Sequence, residues 1–340
     1  MRLSLERCER RFTTPQLTAH GTIEARELVE VTLTDDDGLI GLGEAAPLES
    51  YDGIGIDAVV GALEAYADVV AEPGEPGAPI LIDRCRAVVD LPQAYAAIDL
   101  ALWDLAGKRA GKPVCDLLAE DPAHMVAVGA SIGALDPDRA AATAAGHVAA
   151  GYECVKVKVG VGDDLARVRR VREAIGPEPQ LRLDANGAWT VAEAVTALEA
   201  LSEFGLELVE EPVRGLAATA ELRQRVAVRI AIDETAALPG ALTARVADAV
   251  CLKVARCGGI SGLLAAGALV RASGAEVYLA STYDGPIGIA AALHAAAALA
   301  PLPACGLATL GLFAGSVAPF PAVGGRITVP REPGLGVAVS

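Results

Sequence analysis

The stretch Cys154-Val155-Lys156-Val157-Lys158-Val159 alternates strictly between branched apolar and cationic residues. Successive side chains of a β-strand point to opposite faces, so the three valines share one face and the two lysines the other. Taken alone, the pattern also fits an exposed edge strand. Its neighbours decide between the two readings. Short β-branched runs recur at 126–130, 154–159, 180–184, 206–210, 229–233, 250–253, 276–281 and 304–308, spaced by some 20 to 28 residues with Ala-rich helical segments between them. That spacing is one strand, one helix and two short loops, and its repetition implies a parallel barrel. With the valines packed on the surrounding helices, both ammonium groups enter the barrel near the strand's C-terminal end.

Working outward, residues 1–110 read differently. A strand at 29–34, a turn at 35–38 and a return at 39–44 make a hairpin, and 56–70 and 94–109 have helical spacing. This predicts an α+β module over 1–110, followed by the parallel α/β barrel over 111–310. A Pro/Gly-rich C-terminal segment, 311–340, ends in a strand at 326–329 that could pair back with the first module.

Composition narrows the function. A formal net charge of -16 argues against nucleic acid, since no basic patch offsets it. The cluster Arg167, Arg169, Arg170 and Arg172 reads as the solvated face of a helix. The seven scattered cysteines lack CxxC pairs and read as small buried residues in a reducing cytoplasm. The N-terminal MRLSLERCERRF is too charged for a signal peptide, and the apolar run 286–305 carries three prolines and a histidine. The latter reads as a buried helix, so neither membrane insertion nor export is expected.

The lysines carry the chemistry. The chain has five against 23 arginines, and three of the five (Lys156, Lys158, Lys253) lie at barrel strand ends. Burial or a neighbouring cation can lower a lysine's pKa into a useful range, whereas arginine keeps its proton. The three strands between them end in carboxylates: Asp184, Glu210 and Asp233. Any one could be a helix N-cap. Three at one level would repel one another without a cation. Hard oxygen donors suit Mg²⁺, with Mn²⁺ as a substitute, and zinc fits less well because no His or Cys is placed beside them at a strand end. Strands two and six face each other, so Lys158 and Lys253 should flank the metal. Removing a proton α to a carboxylate needs this set: a base, a second lysine opposite, and a cation for the developing enediolate charge.

The sequence resembles the enolase superfamily, in its muconate lactonizing enzyme subgroup, and the resemblance implies an α+β capping domain over 1–110, a (β/α)7β TIM-like barrel over 111–310 and a C-terminal segment, 311–340, returning to the cap. The matching motifs are KVKV (156–159), DANGAW (184–189), VEEP (209–212), DET (233–235) and KVARCGGI (253–260). The resemblance implies Asp184, Glu210 and Asp233 as metal ligands and Lys158 and Lys253 as acid/base residues. Lys156 would lower the pKa of Lys158, and Asn186 and Glu211 would be neighbours of the metal. Specificity in this superfamily comes from two cap loops, here 12–21 and 45–53, and from strands seven and eight. His20, Tyr51, Asn186, Ser281, Thr282 and Asp284 are therefore the candidate substrate contacts; a solvated role for His20 is equally consistent. Asp284 stands where glutamate is usual.

GEAAPLESY (43–51) and ACGLATL (304–310) look like o-succinylbenzoate synthases, which implies a lyase forming o-succinylbenzoate for menaquinone biosynthesis. Lys158 would take the α proton and return it to the departing hydroxyl, with Lys253 stabilising the enediolate. The alternatives are isomerases: an N-acylamino-acid racemase, a dipeptide epimerase, or a muconate-type cycloisomerase. Dipeptide epimerases usually carry an acidic DxD on strand eight, where this chain has Gly306-Leu307-Ala308. A non-catalytic binding barrel is the reading from another class. The expected partner is a small-molecule carboxylate, and barrels of this kind often form homo-oligomers.

Overall fold

A computed structural model describes residues 1–18, 21–72, 77–315 and 318–338. The cap opens with β1 (Arg2–Thr18), β2 (Gly21–Thr34) and β3 (Ile40–Ala45), an antiparallel sheet in that order. Alternation in β2 sends Val29, Val31 and Leu33 into a core shared with α2 (Ile56–Ala71), α3 (Ala78–Val88) and α4 (Pro92–Ala110), while the single turn α1 (Glu49–Asp52) follows β3. Gly43 lets β3 lie directly on α4, because a Cβ there would collide with the Ala97 carbonyl. After α5 (Val114–Leu118) the chain enters the barrel through β4 (Met125–Ala127) and β5 (Ala130–Ile132).

The barrel then alternates as its sequence pattern requires. Its units are α6 (Pro137–Ala149), β6 (Cys154–Lys158), α7 (Asp164–Ile175), β7 (Gln180–Asp184), α8 (Val191–Leu201), β8 (Leu206–Glu210), α9 (Leu216–Arg223), β9 (Ile230–Ile232), β10 (Ala249–Leu252), α10 (Gly259–Ser273), β11 (Glu276–Leu279) and α11 (Pro286–Leu299). Strands β5 to β11 form one parallel sheet in chain order, and segment 304–308 closes the ring through Val128↔Cys305 and Ala280↔Gly306 bridges. Val155, Val157 and Val159 are buried among Ala140, Ala144, Val168 and Val171 of α6 and α7, which turns Lys156 and Lys158 inward. The apolar run beginning at Pro286 is the buried helix α11, and among the described residues no helix is long and apolar enough to cross a membrane.

Two expectations need correction. The last strand, β12 (Arg326–Thr328), pairs antiparallel with β4 at the barrel entrance, not with the cap, because Ile327 and Val126 share one core. The segment still returns to the cap on both sides of β12: Phe313 stacks on Phe12 at 4.7 Å and the Ala314 N–H donates to the Arg11 carbonyl at 2.8 Å, and further on the Leu335 N–H donates to Asp104 Oδ1 of α4 at 2.7 Å. Arg167 is not on a solvated face. It is buried, and its guanidinium donates to the carbonyls of Leu135, Lys158 and Val161, holding the turn that follows β6.

Candidate active site

Register places the acid and base groups at one level. Lys158 is opposite Asp184, and Asp184 is opposite Glu210, on adjacent parallel strands. Asp233 follows β9 directly and Lys253 follows β10. Capping does not account for the acids: Thr190 caps α8 through a capping box with Glu193, and the Asp233 side chain caps nothing. All six groups, Lys156, Lys158, Asp184, Glu210, Asp233 and Lys253, line one cavity of about 310 Å³, which Gln16, Leu48, Ser50 and Tyr51 of the cap roof over.

The electrostatics differ sharply among the lysines. Lys156 bridges Glu210 Oε1 at 2.8 Å and Asp184 Oδ2 at 3.2 Å. Burial opposes its charge, but the two carboxylates outweigh burial and hold its pKa well above the ordinary value. Lys253 is likewise opposed by burial and held high by Asp233, with which it is ion-paired. Lys158 is the exception. Its Nζ is buried with no hydrogen-bond partner among the described residues, and burial together with the Lys156 charge holds its pKa below the ordinary value against the pull of Asp184.

The donor set fits a divalent cation. Burial raises the Glu210 pKa, as do the like charges of Asp184 and Asp233, so these carboxylates call for added positive charge. Cys251 also points at Glu210 and Asp233, with one ligand atom from each of the three within 4.8 Å of the others. The expectation that no cysteine sits beside the acids therefore fails. Burial keeps this thiol protonated, and the available donors remain oxygens, which suit a hard ion.

The remaining candidates separate. Glu211 is buried and accepts from the backbone N–H groups of Asp233 (2.8 Å) and Thr235 (3.1 Å), so it fixes the third acid's backbone. Asn186 lines the cavity and donates to Glu234 Oε1 at 2.9 Å. Ser281 and Thr282 line it too. Asp284 does not. It is buried, its Oδ1 accepts from the Thr282 hydroxyl at 2.9 Å, and it belongs to the seam between cap and barrel, where Glu44 accepts from the Gly285 N–H. Its expected substrate contact is thus replaced by a role in holding the loop after β11. His20 lies outside the described residues. Sequence reading missed Tyr278, which donates to Glu210 Oε2 at 2.6 Å, and Arg256, which donates to the Tyr51 hydroxyl at 2.9 Å. Tyr278 sits two positions before Ala280 on an alternating strand, the one signal that it faces inward.

Comparison with known proteins agrees with this geometry. The mandelate racemase / muconate lactonizing enzyme N-terminal domain pattern matches residues 3–119, and the enolase C-terminal domain-like pattern matches 139–340. The chain belongs to the enolase superfamily. Among its superfamily relatives, the hydrophobic dipeptide epimerase of Enterococcus faecalis is 34% identical over 295 residues, covering 82% of each chain. The o-succinylbenzoate synthase of Mycobacterium tuberculosis is 47% identical over 193 residues, but these span only 53% of this chain and 57% of that enzyme. The substrate-liganded L-Ala-D/L-Glu epimerase of Bacillus subtilis superposes with a TM-score of 0.92 at 29% identity, over 99% of this chain and 98% of that one. The E. faecalis dipeptide epimerase bound to Mg and L-Leu-L-Tyr gives 0.89 at 28%, over 99% of both. The chain is therefore an enolase-superfamily enzyme, and the epimerases named above match it over more of its length than the synthase does.

Proposed function

We propose that this enzyme moves the proton α to a carboxylate from one face of its substrate to the other, as an epimerase or racemase with Mg²⁺ held by Asp184, Glu210 and Asp233. The observation that carries the reading is the placement of the two lysines. Lys158 ends β6 and Lys253 follows β10 across the ring, and both face one cavity with Asp184, Glu210 and Asp233 between them, so each reaches a bound substrate from its own side. One face is deprotonated while the opposite face is reprotonated, which inverts the centre. When bound, the cation supplies positive charge for the enediolate as it forms. Lys156 stays charged between two of the acids and keeps Lys158 from holding a proton too tightly. The cap roof excludes water from the exchanging proton.

Incubation with Mg²⁺ in deuterated buffer tests this, using both epimers of N-acetylamino acids and of alanyl dipeptides and following the α proton by NMR. Wild type should exchange and interconvert a pair of epimers. Lys158→Ala and Lys253→Ala should each abolish interconversion, while each retains exchange with only one epimer. Absence of exchange across the panel would falsify the reading.

Dehydration to o-succinylbenzoate is the second reading. It is favoured by the 47% identity to the mycobacterial synthase and by Gly306 and Ala308 lining the cavity where an acidic pair would hold a substrate ammonium. Formation of an aromatic product from the cyclohexadiene precursor would select it.

A further inference from the structure

Tyr51 stands in the cap, yet its hydroxyl ends inside the barrel mouth. It donates to Asp233 Oδ1 at 2.7 Å and accepts from Lys253 Nζ at 2.7 Å and from Arg256 Nη1 at 2.9 Å. Its ring also lies over both cations, 4.6 Å from the Lys253 ammonium and 4.8 Å from the Arg256 guanidinium. The turn that carries it is fixed on the cap side: Gln93 Nε2 donates to Asp52 Oδ2 at 2.9 Å, and Gly53 closes α1 with φ 74°. A tyrosine in this place uses its donor and both acceptor positions at once; Asp233 and Lys253 directly follow β9 and β10, and Arg256 lies in the turn after β10, all away from Lys158 at the end of β6. Among the described residues nothing comparable holds Lys158, and none gives its ammonium a hydrogen bond.

We infer that Tyr51 is a positioning residue for Lys253 alone, so that the cap controls proton transfer on one face of the substrate and not on the other. A lysine has four side-chain torsions to fix, and its proton reaches the substrate only from a narrow range of them. The Tyr51 hydroxyl and ring remove that freedom for Lys253. Arg256 braces Tyr51 in turn. The inference rests on the two-lysine reading above.

The test separates the faces by using single-lysine backgrounds. With Lys158→Ala, the exchange of the α proton into deuterated buffer that remains belongs to Lys253; with Lys253→Ala, it belongs to Lys158. The probe is the epimer pair that wild type exchanges, at saturating Mg²⁺, with Mg²⁺ affinity titrated separately by calorimetry. Tyr51→Phe keeps the ring and removes the hydroxyl. It should slow Lys253-face exchange about tenfold, the scale of one hydrogen bond to a charged group. Exchange on the Lys158 face should stay within about twofold of its parent on the same scale. Arg256→Met should give a smaller loss confined to the same face, and it carries the test if Tyr51→Phe does not fold. Equal losses on both faces would mean that Tyr51 acts through Asp233 and the metal, and would overturn the inference. So would no loss on either face. A wild type that exchanges neither epimer removes the proposed function as well, which distinguishes the two failures.

Discussion

Lys156 and Glu210 form a 2.8 Å ion pair inside the barrel, and Asp184, one strand over, shares the same ammonium at 3.2 Å. A single cation thus serves two carboxylates that would otherwise be left with each other. Lys156→Met should cost the metal-free protein about 3 kcal/mol, the usual penalty for stranding a buried charge. Added Mg²⁺ should recover most of that loss, because it supplies the missing charge to the same oxygens. Urea unfolding in EDTA and in Mg²⁺ measures both quantities; equal losses in the two conditions would refute the shared-cation account.

Metal dependence should reside in the acids and nowhere else. At a hundredfold excess of Mg²⁺ over its dissociation constant, the wild type should gain about 2.7 kcal/mol of stability. Asp184→Asn and Glu210→Gln should lose that gain together with α-proton exchange. A thermal melt with and without EDTA decides it, and an unchanged Mg²⁺ shift in either variant would remove that residue from the ligand set.

The cap–barrel seam should titrate. Burial pushes Glu44 up to about 8, with Asp284 adding to the shift, and among the described residues Glu44 Oε2 and Asp284 Oδ2 have no hydrogen-bond partner. Above the ordinary carboxylate range the unfolded chain releases this proton while the folded protein keeps it. Stability contributed here is therefore full at low pH, falls as pH rises through the ordinary range toward 8, and then levels off. Glu44→Gln can keep the Gly285 bond and never ionises. It should flatten this decline and leave the variant more stable than wild type at pH 8.5, by on the order of 3 kcal/mol. Urea midpoints at acid and alkaline pH provide the comparison.

Gly43→Ala should separate packing from chemistry. The new methyl would meet the Ala97 carbonyl, and forcing β3 off α4 should cost about 1–3 kcal/mol. Mg²⁺ affinity should stay unchanged, since no cavity residue moves directly. A normal urea midpoint would show that the sheet accommodates the methyl.

The barrel and its acids and lysines were legible because strand alternation and strand-end placement are periodic, and because lysine is scarce enough here for its positions to carry information. Asp284 was misjudged for a physical reason: whether a carboxylate after a strand faces the cavity or a domain seam depends on the cap, through Arg26 and Glu44, far away in sequence. Arg167 was misread because helical spacing cannot show that a guanidinium will fold back to satisfy carbonyls at a strand end. Cys251 and Tyr278 carried only their alternation. The substrate is the least legible part, because its contacts come from cap and barrel segments that meet only in three dimensions.

The seam has a further consequence for traffic. Arg26 reaches the Thr282 carbonyl, Glu44 holds the Gly285 N–H, and the Ser261 N–H donates to Asp99 of α4, so the cap is bolted to the barrel along its far side. Wholesale swinging of the cap would break all of these at once. Passage of a ligand is instead a matter for the part of the roof that these bonds and the Tyr51 contacts leave out, at Gln16 and Leu48, which makes the enzyme a vessel with a small hatch in a fixed lid.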